Sequence, residues 1–580
     1  MPRLLARRSL RPLVSHSLTS KPTMSSTFPG VGSAAQLLSD TSPGPILYAW
    51  TVANLPPSQP ASHPQPTDII SPPKSLTKPT RTNNHQTPHD RNGQSDRRIY
   101  VVGAGNLGRL FAASLAQCCP SQQQPQQQAT GNPPEETNPP PVMNQPPEVT
   151  LVVHRRSLLE AWVSSPYISI TVPSQGLKHM IYNVSLEWWT DEKPTFGPIR
   201  QICPLGGPLS NLIITTKATD ALPTVDRLRR YLGSTSTVAF VHNGMNKLWP
   251  PFGPLYNSIR YPPSSPSSPS PSSSSPFISP SPSPSPSPSR PDPPRHPSWL
   301  HCVTTHGVTS SSSSPQHPFS SVHASVANVD VGPVLLNPPA QCHPRRHPSA
   351  YLRHQLQQAA QLHSRRVQSP IDLWVLQLEK LVVNSIIHPL TALLRCKNGD
   401  LFDPLSFTTP ATTPTTTPTV TPSPTPTPTS NPTTTTRVID LLLHEASTVL
   451  QALIRHESTH ALLLRSSTIT TDSPTISKKK LLERFSAPSL KAMLLSVAEK
   501  VKDNTSSMLQ DVLAGKEEQT EIREFNGWLV DMARYLGLAE EEVKHHKIVV
   551  DMVGKGLHVK SDDELGTYFP PQSTLEETTI

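Results

Sequence analysis

Lys380, Asn384 and His388 recur every four residues in the run from Leu378 to Thr391, so an amine, an amide and an imidazole share one face of one helix. Polar groups aligned in this way on one helix face mark a candidate site for chemistry. The intervening Val and Ile residues bury another face, and Pro389 removes a backbone donor and is expected to bend the helix. By itself the run slightly favours a plainer account, a snorkelling surface lysine with a cap-like polar filler at Asn384.

A second set lies far upstream. Gly103, Gly105 and Gly108, with Asn106 and Leu107 between them, follow the β-branched run Arg97–Val102 and precede an apolar helical pattern. That is the first βα turn of a dinucleotide-binding fold: one glycine for the bend, one for close approach of a pyrophosphate, and one for helix-on-strand packing. A Gln/Pro/Asn block near 119–147 then separates the turn from a second strand, Glu148–His154. With the block set aside, the ribose-recognising position falls on Arg155, followed by Arg156. An arginine there suits the extra phosphate of NADP, whereas NAD calls for a carboxylate.

The elements that must hold these residues divide into two kinds. Strands at 168–172, 212–216, 237–241 and 300–304 alternate with helical pattern, which predicts an α/β Rossmann-type domain over 97–366 with a largely parallel sheet covered on both faces. Helical periodicity at 373–394, 438–464, 490–500 and 521–536 predicts an all-helical C-terminal domain over 367–560, followed by a tail, 561–580. A Ser/Pro block near 262–297 and a Thr/Pro block near 408–436 read as extended surface loops.

Of the 580 residues, 71 are proline and 34% hydrophobic, so a large share of the chain cannot offset its ordering entropy. The charge of +9 is spread through tails and Arg pairs without interleaved aromatics, which argues against nucleic acid as a partner. Six cysteines show neither disulfide density nor paired CxxC spacing, and Cys342, His343 and His347 lack a second ligand pair, so no metal is expected. No apolar run is long enough for a membrane span. Residues 1–96 read as a disordered leader. Arg3, Arg7, Arg8 and Arg11 among leucines and serines, with no acid before Asp40, predict a mitochondrial presequence; without import the chain would be cytoplasmic.

Further motifs complete a pattern. Gly103–Gly108 is followed by Thr216, Lys217 and Ala218, by Asn243, Gly244 and Met245, and by Lys380 with Asn384. Asn398 and Gly399, Ser506 to Asp511, Thr520 to Ile522, and Asn526 with Gly527 come after. This order resembles the ketopantoate reductases (2-dehydropantoate 2-reductases) from about Arg97 to Gly556. The resemblance implies NADPH-dependent reduction of 2-dehydropantoate to pantoate, on the route to pantothenate and coenzyme A. It makes Lys380 the general acid and has Glu521 bind the substrate hydroxyl, while Asn384, Asn398 and Ser507 orient the substrate. Lys217 and Asn243 would then lie on the cofactor side. His388 stands where family members commonly carry a second Asn, and so enters the substrate pocket with a bulkier side chain that can carry charge. Two other readings are a reductase of another branched 2-keto acid and a family-fold mitochondrial assembly or RNA-associated factor. The expected assembly is a homodimer with its active site between the two domains.

Overall fold

The computed structural model describes residues 37–56, 97–118, 146–203, 208–262, 295–311, 317–337, 349–402, 433–465 and 477–570. The arginine-rich leader, the bulk of the three low-complexity blocks, and Cys342, His343 and His347 lie outside the described residues.

Among the described residues, thirteen strands form two sheets. In chain order they are β1 (Tyr48–Trp50), β2 (Arg98–Val102), β3 (Glu148–Val153), β4 (Ile168–Val172), β5 (Leu177–Ile181), β6 (Val184–Thr190) and β7 (Asn211–Ile214). After these come β8 (Thr237–Phe240), β9 (Ser298–Thr304), β10 (Gly307–Ser310), β11 (Ser320–Ser325), β12 (Val329–Leu335) and β13 (Ser364–Arg366). The large sheet runs β1-β6-β3-β2-β7-β8-β9-β12-β13, parallel from β6 through β9 and antiparallel at the β1/β6 and β9/β12 pairs. Its central strand β2 shows why both faces must be covered. Ile99 and Val101 point to one core with Leu110 and Phe111, while Tyr100 and Val102 point to the other with Leu222 and Val225.

Helices α1 (Asn106–Ala116), α2 (Arg156–Ser164), α3 (Ala218–Arg227), α4 (Phe252–Arg260) and α5 (Ser349–Gln358) belong to this half. The helical half holds α6 (Pro370–Leu394), α7 (Thr434–Arg455), α8 (His460–Arg465), α9 (Lys478–Arg484) and α10 (Ala487–Lys500). It continues with α11 (Ser507–Leu513), α12 (Ile522–Tyr535), α13 (Lys544–Gly554) and α14 (Asp562–Tyr568). The fold is therefore the expected α/β Rossmann-type half followed by an all-helical half. One apolar core runs through both, from Val225 and Trp249 to Trp374, Leu442 and Phe525.

Helix α6 starts at Ser369, whose hydroxyl caps Ile371 N, with Pro370 at the first helical position where its missing donor is not needed. It crosses β12 at Gly332, where an added Cβ would meet Leu373 Cδ1 at 3.2 Å. Pro389 does not end the helix, which continues as one element to Leu394. The carbonyl it strands, that of Ser385 four residues earlier, is taken up by Asn526 Nδ2 of α12 at 2.8 Å.

Four expectations are corrected. Residues 37–56 are not leader: β1 closes the sheet edge, Trp50 packs on Trp188 with ring centroids 5.2 Å apart, and Leu47 N donates to Tyr231 Oη. Ile168–Val172 belongs to a second sheet, β10-β11-β4-β5, which covers α1. Thr433–Thr436 is no loop, since Thr433 caps the first turn of α7. Residues 561–570 are not a free tail either: Asp562 accepts from Thr434 N and Thr435 N, and Phe569 is fully buried.

Candidate active site

The glycine turn has the shape its spacing requires. Gly103 sits at φ +114°, a conformation that L side chains rarely adopt, and a Cβ there would lie 2.9 Å from Thr215 Oγ1. A Cβ on Gly108 would strike the Gly103 carbonyl at 1.9 Å, so α1 can only approach the strand end with glycine at this position. Gly105 faces open space, with nothing within 4 Å of a Cβ. Backbone donors at the α1 N-terminus thus look onto a cradle into which a pyrophosphate fits. Asn106 and Leu107 form the first turn, half-buried, and Arg155 caps α2 at the end of β3 with its side chain exposed. Neighbouring Arg156 is engaged elsewhere, with Glu160 at 2.9 Å and over the Trp50 ring.

From the helical half, α6 presents Lys380. Its amine donates to Asn243 Oδ1 at 3.0 Å and to the Thr304 carbonyl at 2.6 Å, both from strand ends of the large sheet. Asn243 then uses its Nδ2 to donate to Glu521 Oε2 at 3.2 Å, so one amide ties the lysine to the carboxylate. Gly244, at φ +73°, lets this loop meet α12, where a Cβ would lie 2.9 Å from the Glu524 carbonyl.

Burial governs the charges here. Desolvation brings Lys380 down to about 8, opposed by the Glu521 carboxylate. The same cause raises Glu521, against hydrogen bonds from Asn243 and Ala218 N. His388 is pushed down to about 3 by burial and by the Lys380 charge, which corrects the expectation that it could carry charge of its own. The neutral imidazole lies edge-on to Phe525, with Nδ1 3.3 Å from Ser507 Oγ. Asn384 is buried, and its Nδ2 has no hydrogen-bond partner among the described residues. An orphaned buried donor one turn from Lys380 is the feature a substrate carboxylate or carbonyl would satisfy.

Two anticipated residues are placed differently from their neighbours. Asn398 serves the frame: its Nδ2 donates to the Val501 carbonyl at 3.1 Å and its main-chain N–H to that of Asn504, holding the approach to α11. Lys217 reaches over to the helical half, pairing with Asp511 at 3.1 Å and donating to the Gln519 carbonyl at 2.6 Å. Sequence reasoning missed the layer behind the lysine. There Gln377 Nε2 meets His301 Nε2 at 2.8 Å and the Gly244 carbonyl at 3.2 Å, while Trp249 Nε1 donates to Gln377 Oε1. Burial takes His242 down to about 4 and His301 well below its ordinary range, so these two imidazoles add no charge beside Lys380. The available signal was Gln377, one helical turn before Lys380.

A glycine turn at the head of a parallel sheet, with a half-buried lysine hydrogen-bonded at the strand ends of that sheet, is the arrangement of a dinucleotide-dependent oxidoreductase. Residues 143–260 match the family model for ketopantoate reductase PanE/ApbA, and residues 372–410 and 423–556 match that of its C-terminal domain. The chain belongs to the ketopantoate reductase family. It is 35% identical to ketoisovalerate reductase BEA2 of Gibberella fujikuroi over 514 residues, 86% of this chain and 90% of the relative. It is 33% identical to ketoisovalerate reductase of Beauveria bassiana over 541 residues, 89% of this chain and 94% of the relative. Among solved structures, a PanE/ApbA family ketopantoate reductase from Ralstonia eutropha aligns at TM-score 0.43 and 13% identity, covering 79% of this chain and 99% of that one. Among the described residues no helix is long and apolar enough to cross a membrane.

Proposed function

We propose that the protein reduces a short branched 2-keto acid to its 2-hydroxy acid with NADPH, with 2-ketoisovalerate as the preferred substrate. The observation that carries this is the amine of Lys380, held between Asn243 Oδ1 and the Thr304 carbonyl with a pKa lowered to about 8. A bound nicotinamide supplies hydride to the carbonyl carbon. Lys380 polarises the carbonyl oxygen and gives it the proton, so that ketone, NADPH and one proton become alcohol and NADP⁺. Gly103, Gly105, Asn106, Leu107 and Gly108 hold the pyrophosphate, Arg155 takes the 2′-phosphate, and Lys217 lies on the same side. Asn384 and Ser507 orient the keto acid.

The named activity of the Gibberella and Beauveria relatives favours ketoisovalerate. Glu521 favours a second reading, 2-dehydropantoate, whose additional hydroxyl the buried carboxylate can accept. Oxidation of NADPH and NADH with both keto acids separates these readings. Lys380→Ala is expected to lower kcat about a hundred- to ten-thousand-fold while NADPH binding persists; unchanged turnover would refute the assignment. Glu521→Gln should reduce kcat/KM for 2-dehydropantoate more than for 2-ketoisovalerate.

A further inference from the structure

Arg109 lies in the first turn of α1, next to Gly108, and is 7% exposed. Its Nε donates to Ser321 Oγ at 2.7 Å, and its two terminal nitrogens donate to the Pro318 carbonyl and to Asn106 Oδ1. All three acceptors are uncharged, the first turn of α1 holds no acid, and no carboxylate among the described residues pairs with the guanidinium. Burial pulls Arg109 down to about 10, which leaves it charged at neutral pH.

This arrangement breaks two ordinary rules at once. A buried cation is costly without a counter-charge, and the N-terminal end of a helix is the end that repels cations. Both violations are removed by one event, the arrival of an anion at the α1 N-terminus. The hydrogen bonding points the same way. Asn106 Oδ1 also accepts from Ser310 Oγ at 3.2 Å and Ser321 Oγ at 3.4 Å, so the oxygen is committed to the protein and the two amide donors are left for another partner. Beside it, Gly105 opens onto unfilled space. The second sheet supplies Ser321 and Ser310, so a part of the fold that the glycine motif does not foretell holds the arginine in place.

We propose that Arg109 is a positioning residue for the anionic part of the dinucleotide: it supplies a buried positive charge that only the bound cofactor neutralises, and it fixes Asn106 with its amide donors free. The proposal rests on the cofactor reading given above.

The test is NADPH binding to the whole protein by calorimetry, together with thermal unfolding. Arg109→Gln is expected to weaken NADPH binding by roughly tenfold or more, and Arg109→Lys to recover part of that loss, because charge and not shape is at stake. Asn106→Asp gives the arginine a carboxylate partner and keeps the acceptor. It should raise the melting temperature while weakening NADPH, two changes of opposite benefit that a purely structural arginine does not produce, and the thermal gain should vanish when combined with Arg109→Gln. The proposal is overturned if folded Arg109→Gln binds NADPH as the parent does, or if Asn106→Asp melts below the parent. A parent protein that binds neither NADPH nor NADH would instead overturn the cofactor reading beneath it.

Discussion

At the scale of single residues, the proposed reaction depends on a lysine that keeps its proton until the carbonyl takes it. If Lys380 is the acid it must be charged, so kcat/KM should fall as pH rises through about 8, the value to which burial lowers it. The Glu521 carboxylate opposes that lowering, hence Glu521→Gln should move the alkaline limb to lower pH; a limb that stays put or moves upward in a pH-rate profile would contradict the coupling. Lys380, Asn384 and the glycines were legible in the sequence because chemistry fixes their types and local geometry fixes their spacing. Thr304 was not: it contributes a main-chain carbonyl, which any residue has. Arg109 escaped notice for a related reason, since its partners Ser321 and Pro318 lie more than two hundred residues away in sequence.

At the scale of elements, the three glycines of one turn do different work and should fail differently when given a methyl group. Gly108→Ala forces a carbon onto a backbone oxygen 1.9 Å away and should destabilise the fold by about 1–3 kcal/mol or more, visible in urea unfolding. Gly105→Ala meets nothing within 4 Å, so it should unfold like the parent yet bind NADPH poorly. Helix α6 offers a second case. Asn526→Ala removes the donor that satisfies the Ser385 carbonyl above Pro389 and should cost about 1–3 kcal/mol in the same measurement. Helices with strong apolar periodicity and long strands could be read from sequence. The three-residue β1 could not, because it has no period of its own and is ordered by Trp188, Trp189 and Tyr231, which come far later in the chain.

At the scale of the whole molecule, the N-terminal segment is part of the α/β half. Arg229 pairs with both Asp40 and the buried Asp226, and Arg260 pairs with Asp226 and donates to the Leu37 and Asp40 carbonyls. A chain started at Ser95 would leave these arginines and the β6 edge uncovered. It should melt at a lower temperature than one started at Leu37, and equal melting would show the segment to be dispensable. Contacts across the cleft also join the halves: Lys247 meets Glu524 at 3.1 Å with both side chains largely buried. Such long-range pairs leave no trace in composition or periodicity, which is why the two-part architecture could be inferred while its closure could not.

The placement of Asn243 bears on redesign. Asn384, His388, Ser507 and Glu521 all come from the helical half, and the glycine turn and Arg155 from the other, so on the proposed reading selectivity for the keto acid and for the coenzyme would be altered in separate libraries. Asn243 is one of the groups that do not divide in this way. It lies on the coenzyme half, yet it is hydrogen-bonded to both Lys380 and Glu521. A recombinant that exchanges one half for that of a relative should preserve this amide, or Lys380 is left with the Thr304 carbonyl alone and Glu521 loses a donor.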